Sequence, residues 1–301
     1  MANSTITLVQ SLEWCKRFVF NRELSIGNFK EPLMTSANLI YQTTLGPPFA
    51  WRWNRVVTGF VCTPGQQDYT LGNWAASTAE SLGFLTVDTN GNSQEVTVAG
   101  TTGVSEPSWN ATTGGTTTDG GVTWTNLGPI PEASTNFTFG WIETASVQDT
   151  TSSKWYEMSP KISLGLDSAT SRPLNISAQI DTGNGNITFR LMPVPDKAYP
   201  IAITLQEKAA LLTSLNQTWA PIPDEFSYIY QVGLLSYMYE FCDDQRSSAK
   251  RQQFVTHLLA ANDGLDETAR NIFLNNYFSL SLDQAYRSAN LNQGLQGKAG
   301  L

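Results

Sequence analysis

The chain has 301 residues, with 18 Lys plus Arg against 26 Asp plus Glu and a formal net charge of −8 at pH 7. A chain of this length can bury a full hydrophobic core without disulfides. The few basic residues form no cluster, which argues against tight sequence-specific binding to nucleic acid, because such binding neutralises a series of phosphates. An acidic surface is compatible with a channel through which DNA slides.

The cysteines and the apolar runs exclude further classes. Cys15, Cys62 and Cys242 lie far apart without C-x-x-C spacing, so we expect reduced core residues rather than a zinc site or a redox pair. No metal or cofactor is expected. No stretch approaches the ~20 apolar residues of a membrane span, and the N-terminus lacks the features of a signal peptide. We therefore expect a protein made in the cytoplasm, with no membrane partner.

The N-terminal part is predicted to be helical. Apolar residues recur at three- and four-residue spacing over Thr5–Asn21, and Ser4 or Thr5 can cap this helix. A second helix is predicted to begin after Asn28, because Asn28 and Glu31 have the spacing of a capping box. Gly46 and the two prolines after it end the second helix.

From Val56 the pattern changes to period two with turn residues, which predicts β-strands. The strands are predicted at Val57–Val61, Asp68–Leu71, Phe137–Val147, Lys154–Met158, Asn175–Ile180, Ile187–Leu191 and Ala202–Gln206. Glycine and asparagine tolerate positive φ, so the segment Asp181–Asn186 is the clearest hairpin turn.

Residues 74–132 differ in composition from the rest, being rich in Thr, Gly, Ser and Asn and poor in charge. Short β-prone runs at Phe84–Val87, Glu95–Val98 and Val122–Asn126 alternate with glycine turns. We interpret this segment as an inserted small β domain, because a structureless loop of this length is uncommon inside a compact domain.

The last third is predicted to be helical again. Asp224 can cap a helix whose apolar positions repeat at three and four residues, and further helices are predicted over Ser248–Ala261 and Asp266–Phe278. Residues 281–301 are small and polar, which predicts an extended C-terminal arm that becomes ordered only against a neighbour.

These elements together predict an α+β protein, in which the N- and C-terminal helices form a helical bundle that carries an antiparallel β domain and a small inserted β module. The corresponding domains are a discontinuous core of residues 1–73 and 133–280, the insertion at 74–132, and the arm at 281–301.

No catalytic residues are expected. A catalytic triad or a Cys–His pair would have to use His257, the only histidine, which we expect to have a surface or packing role. Nucleotide and hydrolase motifs are absent from the sequence. Paired carboxylates remain an enzymatic alternative, although acidic residues in turns are ordinarily solvated turn formers. The candidates in the β part are Asp149, Glu157, Asp167, Asp181 and Asp196.

Four stretches carry a resemblance when taken in their order along the chain: Pro47–Arg55, Pro64–Tyr69, Phe189–Tyr199 and Trp219–Phe226. Together they resemble the head-to-tail adaptor proteins of tailed bacteriophages, the class that includes the tail tubular A proteins. The resemblance implies a structural virion protein of the neck, forming a ring of about 12 copies between the portal protein and the tail or nozzle protein. Genomic DNA would pass through the ring without sequence-specific binding.

The same resemblance suggests where contacts lie. Candidates for the interface between subunits are Trp51, Trp53, Arg55 and Arg246. The arm would reach toward the portal and bind it through Leu291, Gln293, Leu295, Lys298 and Leu301.

The insertion leaves a second function open. The runs Gly103–Trp109 and Asp119–Trp124 resemble a small β module embedded in phage structural and fibre proteins. If exposed, Trp109 and Trp124 could stack on sugar rings, which would make the chain a tail protein that binds host surface glycans. We favour the other interpretation, in which both indoles form the mini-core of the module.

Overall fold

The computed structural model describes residues 4–19, 30–181, 186–262 and 267–275. The chain divides into two compact units. The helical unit comprises Met1–Ala50 and Leu211–Leu301, and the sheet unit comprises Trp51–Ala210.

The helical unit has its helices close to where the periodicity predicts them. They are α1 (Leu8–Lys16), α2 (Lys30–Leu45), α3 (Ser227–Phe241), α4 (Arg246–Ala261) and α5 (residues 267–275). Helix α3 contacts α1, α2 and α4. It is apolar on most of its circumference, as expected of a helix surrounded by others.

The predicted helix caps are wrong in two places. Thr7 caps α1 in a reciprocal capping box with Gln10, with N···O distances of 3.2 and 2.8 Å. Ser4 and Thr5 instead donate from their hydroxyls to the Asp224 carboxylate at 2.8 and 2.6 Å. Asp224 lies in a 3-10 turn before α3 and makes no cap hydrogen bond. The capping box predicted at Asn28 and Glu31 stays a prediction, because Asn28 lies outside the described residues and the side chain of Glu31 is not described.

Trp219 is the centre of the helical unit's packing. Its ring is fully buried and stacks on Tyr230 of α3, with 4.4 Å between centroids. Its indole N–H donates to Ser11 Oγ of α1 at 2.9 Å. The segment before α3 thereby joins two helices that are distant in sequence.

The sheet unit contains thirteen strands within its described residues, 51–181 and 186–210. They are β1 (Arg55–Cys62), β2 (Asp68–Leu71), β3 (Ala79–Glu80), β4 (Phe84–Val87), β5 (Asn92–Val98), β6 (Gly100–Thr101), β7 (Thr116–Asp119), β8 (Val122–Pro129), β9 (Phe139–Asp149), β10 (Lys154–Pro160), β11 (Asn175–Asp181), β12 (Ile187–Met192) and β13 (Tyr199–Glu207). Eleven of them form one sheet in the order β1-β13-β9-β10-β11-β12-β2-β4-β5-β8-β7, and β3 pairs with β6.

The predicted fold class is wrong. The protein is mostly a large mixed sheet, with five short helices among the described residues and none longer than 16 residues, rather than a helical bundle with an antiparallel domain and a small module. Two neighbouring pairs, β10–β11 and β2–β4, are parallel. The physical reason is that β4 pairs through its backbone with β2, so strands from residues 74–132 extend the central sheet. Periodicity locates strands but does not identify their partners.

Two hydrophobic clusters support this sheet. The larger one contains Phe60, Tyr69 and Phe189, and the Phe60 ring stacks on each of the other two rings. The smaller one is made by residues of 74–132 and is described below. Cys15 and Cys62 are buried and Cys242 is half-buried, and all three are free thiols. None of the described helices is long and apolar enough to span a bilayer.

Candidate interaction surface and acidic cleft

Three of the four predicted interface residues lie together in the sheet unit. Trp51 and Trp53 stack with 5.2 Å between centroids, and Trp51 is only 3% exposed. The Gln206 amide holds the Trp51 backbone from both sides, at 3.1 and 3.2 Å. Arg55 is exposed and paired with Glu143. Trp51 is therefore a packing residue.

The remaining predicted contact residues do not join this group. Arg246 lies at the start of α4 in the helical unit, paired with Asp244 and placed 4.4 Å from the centroid of the Tyr239 ring. The five arm residues between Leu291 and Leu301 lie outside the described residues, so the predicted portal contact stays a prediction.

Trp109 and Trp124 form the predicted mini-core. Their rings are 8% and 0% exposed and meet in a T-shaped contact at 5.5 Å. Phe84, Val96 and Val122 complete the cluster. Neither indole offers an open face, and stacking on a sugar ring requires one.

One buried carboxylate organises this mini-core. Asp119 is 3% exposed and accepts hydrogen bonds from the indoles of Trp74 at 2.7 Å and Trp124 at 3.3 Å, and from Gly103 N at 2.7 Å. Three donors from separate parts of residues 74–132 thus converge on a single side chain. Sequence reasoning missed this role, because Asp119 resembles an ordinary turn residue.

Two of the carboxylates considered for catalysis, Asp149 and Asp196, lie near Lys197 and Tyr199, and each is engaged in a hydrogen bond. Asp149 pairs with Lys197 at 2.9 Å, and this hydrogen bond lowers its pKa. Asp196 accepts from the Tyr199 hydroxyl at 2.7 Å. The side chain of Asp181 lies outside the described ones. His257 packs against the Tyr228 ring at 5.2 Å, in the packing role expected for it.

Large apolar side chains are exposed on β10 and along the segment that follows it. We call this set of residues the β10 surface. Its members are Trp155 (38% exposed), Tyr156 (36%), Ile162 (99%), Leu166 (82%) and Leu174 (50%). Adjacent strand residues point to opposite faces, so exposure of both Trp155 and Tyr156 means that both faces of β10 are uncovered here. Within the described chain, Lys154–Glu157 pairs with β9 alone, since β11 joins β10 only at Ser159 and Pro160.

Basic residues flank the β10 surface. Lys154 and Lys161 are exposed beside it, and the Arg172 guanidinium lies 3.8 Å from the centroid of the Tyr156 ring. The sequence has no Lys or Arg at all between Arg55 and Lys154. Sequence reasoning missed this surface because isolated apolar residues in a Ser/Gly/Pro-rich segment give no periodicity. The adjacent aromatic pair in a strand was the available signal.

A cleft of about 350 Å³ lies between β2 and the β3–β4 segment of the sheet unit. Its lining includes Gln66, Asp68, Thr70, Asn186 and the run from Ala79 to Phe84. Asp68 forms a two-pronged ion pair with Arg190, at 2.7 and 2.8 Å. Glu80 is only 8% exposed, and within the described residues no hydrogen bond or ion pair reaches its carboxylate.

Burial of Glu80 raises the pKa of its carboxyl from 4.5 to about 7. An unfolded chain releases this proton at lower pH than the folded chain, so stability falls as pH rises from about 4.5 to 7. We expect Glu80→Gln to raise the free energy of unfolding by about 2 kcal/mol at pH 8, and to change it little at pH 4.5. Urea titrations at the two pH values measure both differences. Equal effects at both would contradict the assignment.

No protein-family model matches the chain, and no curated protein matches it either.

Proposed function

We propose that this chain is a non-enzymatic structural subunit of a tailed-bacteriophage particle, which forms the adaptor ring between the portal and the tail. The observation that carries the proposal is the β10 surface. The order of the four sequence stretches described above, from Pro47–Arg55 to Trp219–Phe226, supports it independently.

Several large apolar side chains left exposed along one chain segment favour an interaction site there. The β10 surface combines such residues with a strand segment, Lys154–Glu157, that has a backbone partner on one side. A neighbouring chain can cover the side chains and also add hydrogen bonds to this strand. Both gains favour a protein partner over a small ligand.

The proposed occupant is a second copy of this chain. Charge complementarity supports a copy, because residues 56–153 contain acidic side chains and no basic ones, whereas the β10 surface is flanked by Lys154, Lys161 and Arg172. Glu106 and Glu132 are exposed acidic residues of that stretch. A contact between two different patches of the same chain is heterologous, and such contacts generate rings when the rotation closes.

In such a ring, the portal and the tail or nozzle protein contact the two ends, and genomic DNA passes through the centre. The net charge of −8 suits passage without adhesion. The proposal also includes portal binding through residues 281–301. This part rests on the resemblance alone.

The test is assembly of the double variant Ile162→Ser, Leu166→Ser. We expect it to stay monomeric and to lose at least tenfold in affinity for the neighbouring subunit, because two side chains that are nearly fully exposed in the monomer lose their burial in the contact. Mass photometry of the protein alone, and electron microscopy after mixing with cognate portal rings, measure this.

The control is Val98→Ser, Val104→Ser, which removes two exposed apolar side chains (52% and 87%) elsewhere in the sheet unit. We expect normal assembly from it. Unchanged assembly of the Ile162, Leu166 variant would show that the β10 surface is not the contact. If the wild-type chain neither self-associates nor joins portal rings, the adaptor proposal itself fails.

A further inference from the structure

We propose that the cleft around Glu80 is a binding site for a primary ammonium group, with the Glu80 carboxylate as its counter-ion. This site is separate from the β10 surface and does not depend on the adaptor role.

Glu80 is a buried acidic residue without a partner from the chain. It is one of the residues that line the cleft, it is more than nine-tenths buried, and no donor among the described residues reaches its carboxylate. Buried carboxylates are normally hydrogen-bonded or paired, because an uncompensated charge is costly to bury. A partner that enters through the cleft supplies what the chain does not.

The charges around the cleft favour a cation as its ligand. The other ionisable side chain in its lining is Asp68 of β2, and Arg190 of β12 already neutralises that carboxylate. Strand β6, which pairs with β3, contributes only Gly100 and Thr101. A neutral donor leaves the charge of Glu80 uncompensated, and an anion is repelled.

The residues that line the cleft suit an ammonium group better than a metal ion. Within the described residues no group of three metal-ligating side chains occurs. An ammonium needs only one carboxylate and further neutral acceptors for its three N–H donors. Gln66 can supply one, because its amide N–H donates to Asp68 O at 2.7 Å and no donor among the described residues contacts its side-chain carbonyl oxygen. Ser81 and Thr70 also line the cleft, and the Thr70 hydroxyl shares a hydrogen bond with that of Thr188 at 3.1 Å.

A volume of about 350 Å³ accommodates a small alkylamine or the end of a lysine side chain. The same chemistry can therefore come from a free amine or from a lysine of another polypeptide, such as a second copy of this chain. Both present the same –NH₃⁺ group.

The experiment is a titration of the intact protein with n-butylammonium, in which binding is measured by calorimetry and by amide chemical shifts. We expect saturable binding that shifts the amides of β2 and the β3–β4 segment. Because Glu80 titrates near neutrality while an alkylamine stays protonated, affinity should rise about tenfold from pH 6 to pH 8. n-Butanol, of the same shape without charge, should not bind.

Glu80→Gln keeps the shape and removes the charge, and it should lose at least tenfold in affinity together with the pH dependence. Glu225→Gln makes the same change in net charge at an exposed site of the helical unit and should bind as the wild type does. Absence of saturable binding at pH 8, equal binding by the Glu80→Gln variant, or equal binding of n-butanol would each overturn the proposal.

The two sources are distinguished by assembly. If butylammonium at saturating concentration blocks self-association of the wild type but not of the Glu80→Gln variant, the natural ligand is a lysine of a second copy. If assembly is unaffected while binding persists, the ligand is a free amine. If the protein does not assemble, the adaptor proposal fails but the titration of the cleft can still be carried out. The two proposals can therefore fail separately.

Discussion

Asp119→Ala is expected to lower the free energy of unfolding of the sheet unit by about 3–5 kcal/mol. The change removes the acceptor of three donors, the indoles of Trp74 and Trp124 and the backbone N–H of Gly103. Each buried donor left without a partner costs about 1–3 kcal/mol, and a water entering the vacated space recovers part of this.

Urea unfolding followed by tryptophan fluorescence measures this loss, since seven of the nine tryptophans lie within Trp51–Ala210. Asp119→Asn retains one acceptor oxygen and should lose less. Glu106→Ala removes the acceptor of the Trp109 indole at an exposed position and should cost under about 1 kcal/mol. Equal losses from the Asp119 and Glu106 variants would mean that Asp119 does not hold the mini-core together.

Trp219→Ala is expected to destabilise the helical unit by about 3–5 kcal/mol, the usual cost of truncating a large buried aromatic side chain. It removes the stacking on Tyr230 and the hydrogen bond to Ser11, and it leaves a cavity at the meeting point of α1 and α3. Circular dichroism at 222 nm during urea titration follows the loss of helix.

Two further variants test whether the loss comes from burial of the Trp219 ring. Trp219→Phe keeps an aromatic ring and loses the N–H donor, so it should cost about 1–2 kcal/mol. Phe241→Ala truncates a ring that is 58% exposed at the end of α3 and should have a small effect. A Trp219→Ala protein as stable as the wild type would show that the helical unit is organised around other contacts.

The strands were largely predictable from the sequence, and their arrangement was not. Alternation placed β2 at Asp68–Leu71 and β4 at Phe84–Val87, the bounds found in the structure. The parallel pairing between them involves two residue pairs, Thr70 with Phe84 and Leu71 with Leu85. Such a short contact leaves no periodic trace, and without it residues 74–132 look like a separate module.

Helix caps show the same limit. Thr7 with Gln10 and Asp224 with the residues after it both have sequences that can cap a helix, and only the first does. The Asp224 carboxylate is occupied by Ser4 and Thr5, residues some 220 positions away in sequence. A local pattern cannot anticipate competition from such a distant donor.

The candidate sites also differ in how far the sequence predicts them. Burial of Trp109 and Trp124 followed from the scarcity of other large apolar groups in their segment. The β10 surface and the cleft of Glu80 are defined by which side chains are exposed and which lack a partner. Only the three-dimensional structure shows this. For Glu80, the lack of any cation between Arg55 and Lys154 was visible in the sequence, but its burial was not.

The parallel joint between β2 and β4 has a consequence for engineering the protein. Excision of residues 74–132 would strip β2 of its outer neighbour and leave the amide and carbonyl groups of Thr70 and Leu71 open to solvent. Exposed strand flanks of this kind recruit other chains and aggregate. A shortened protein would therefore precipitate unless a replacement strand or a charged substitution shielded that flank.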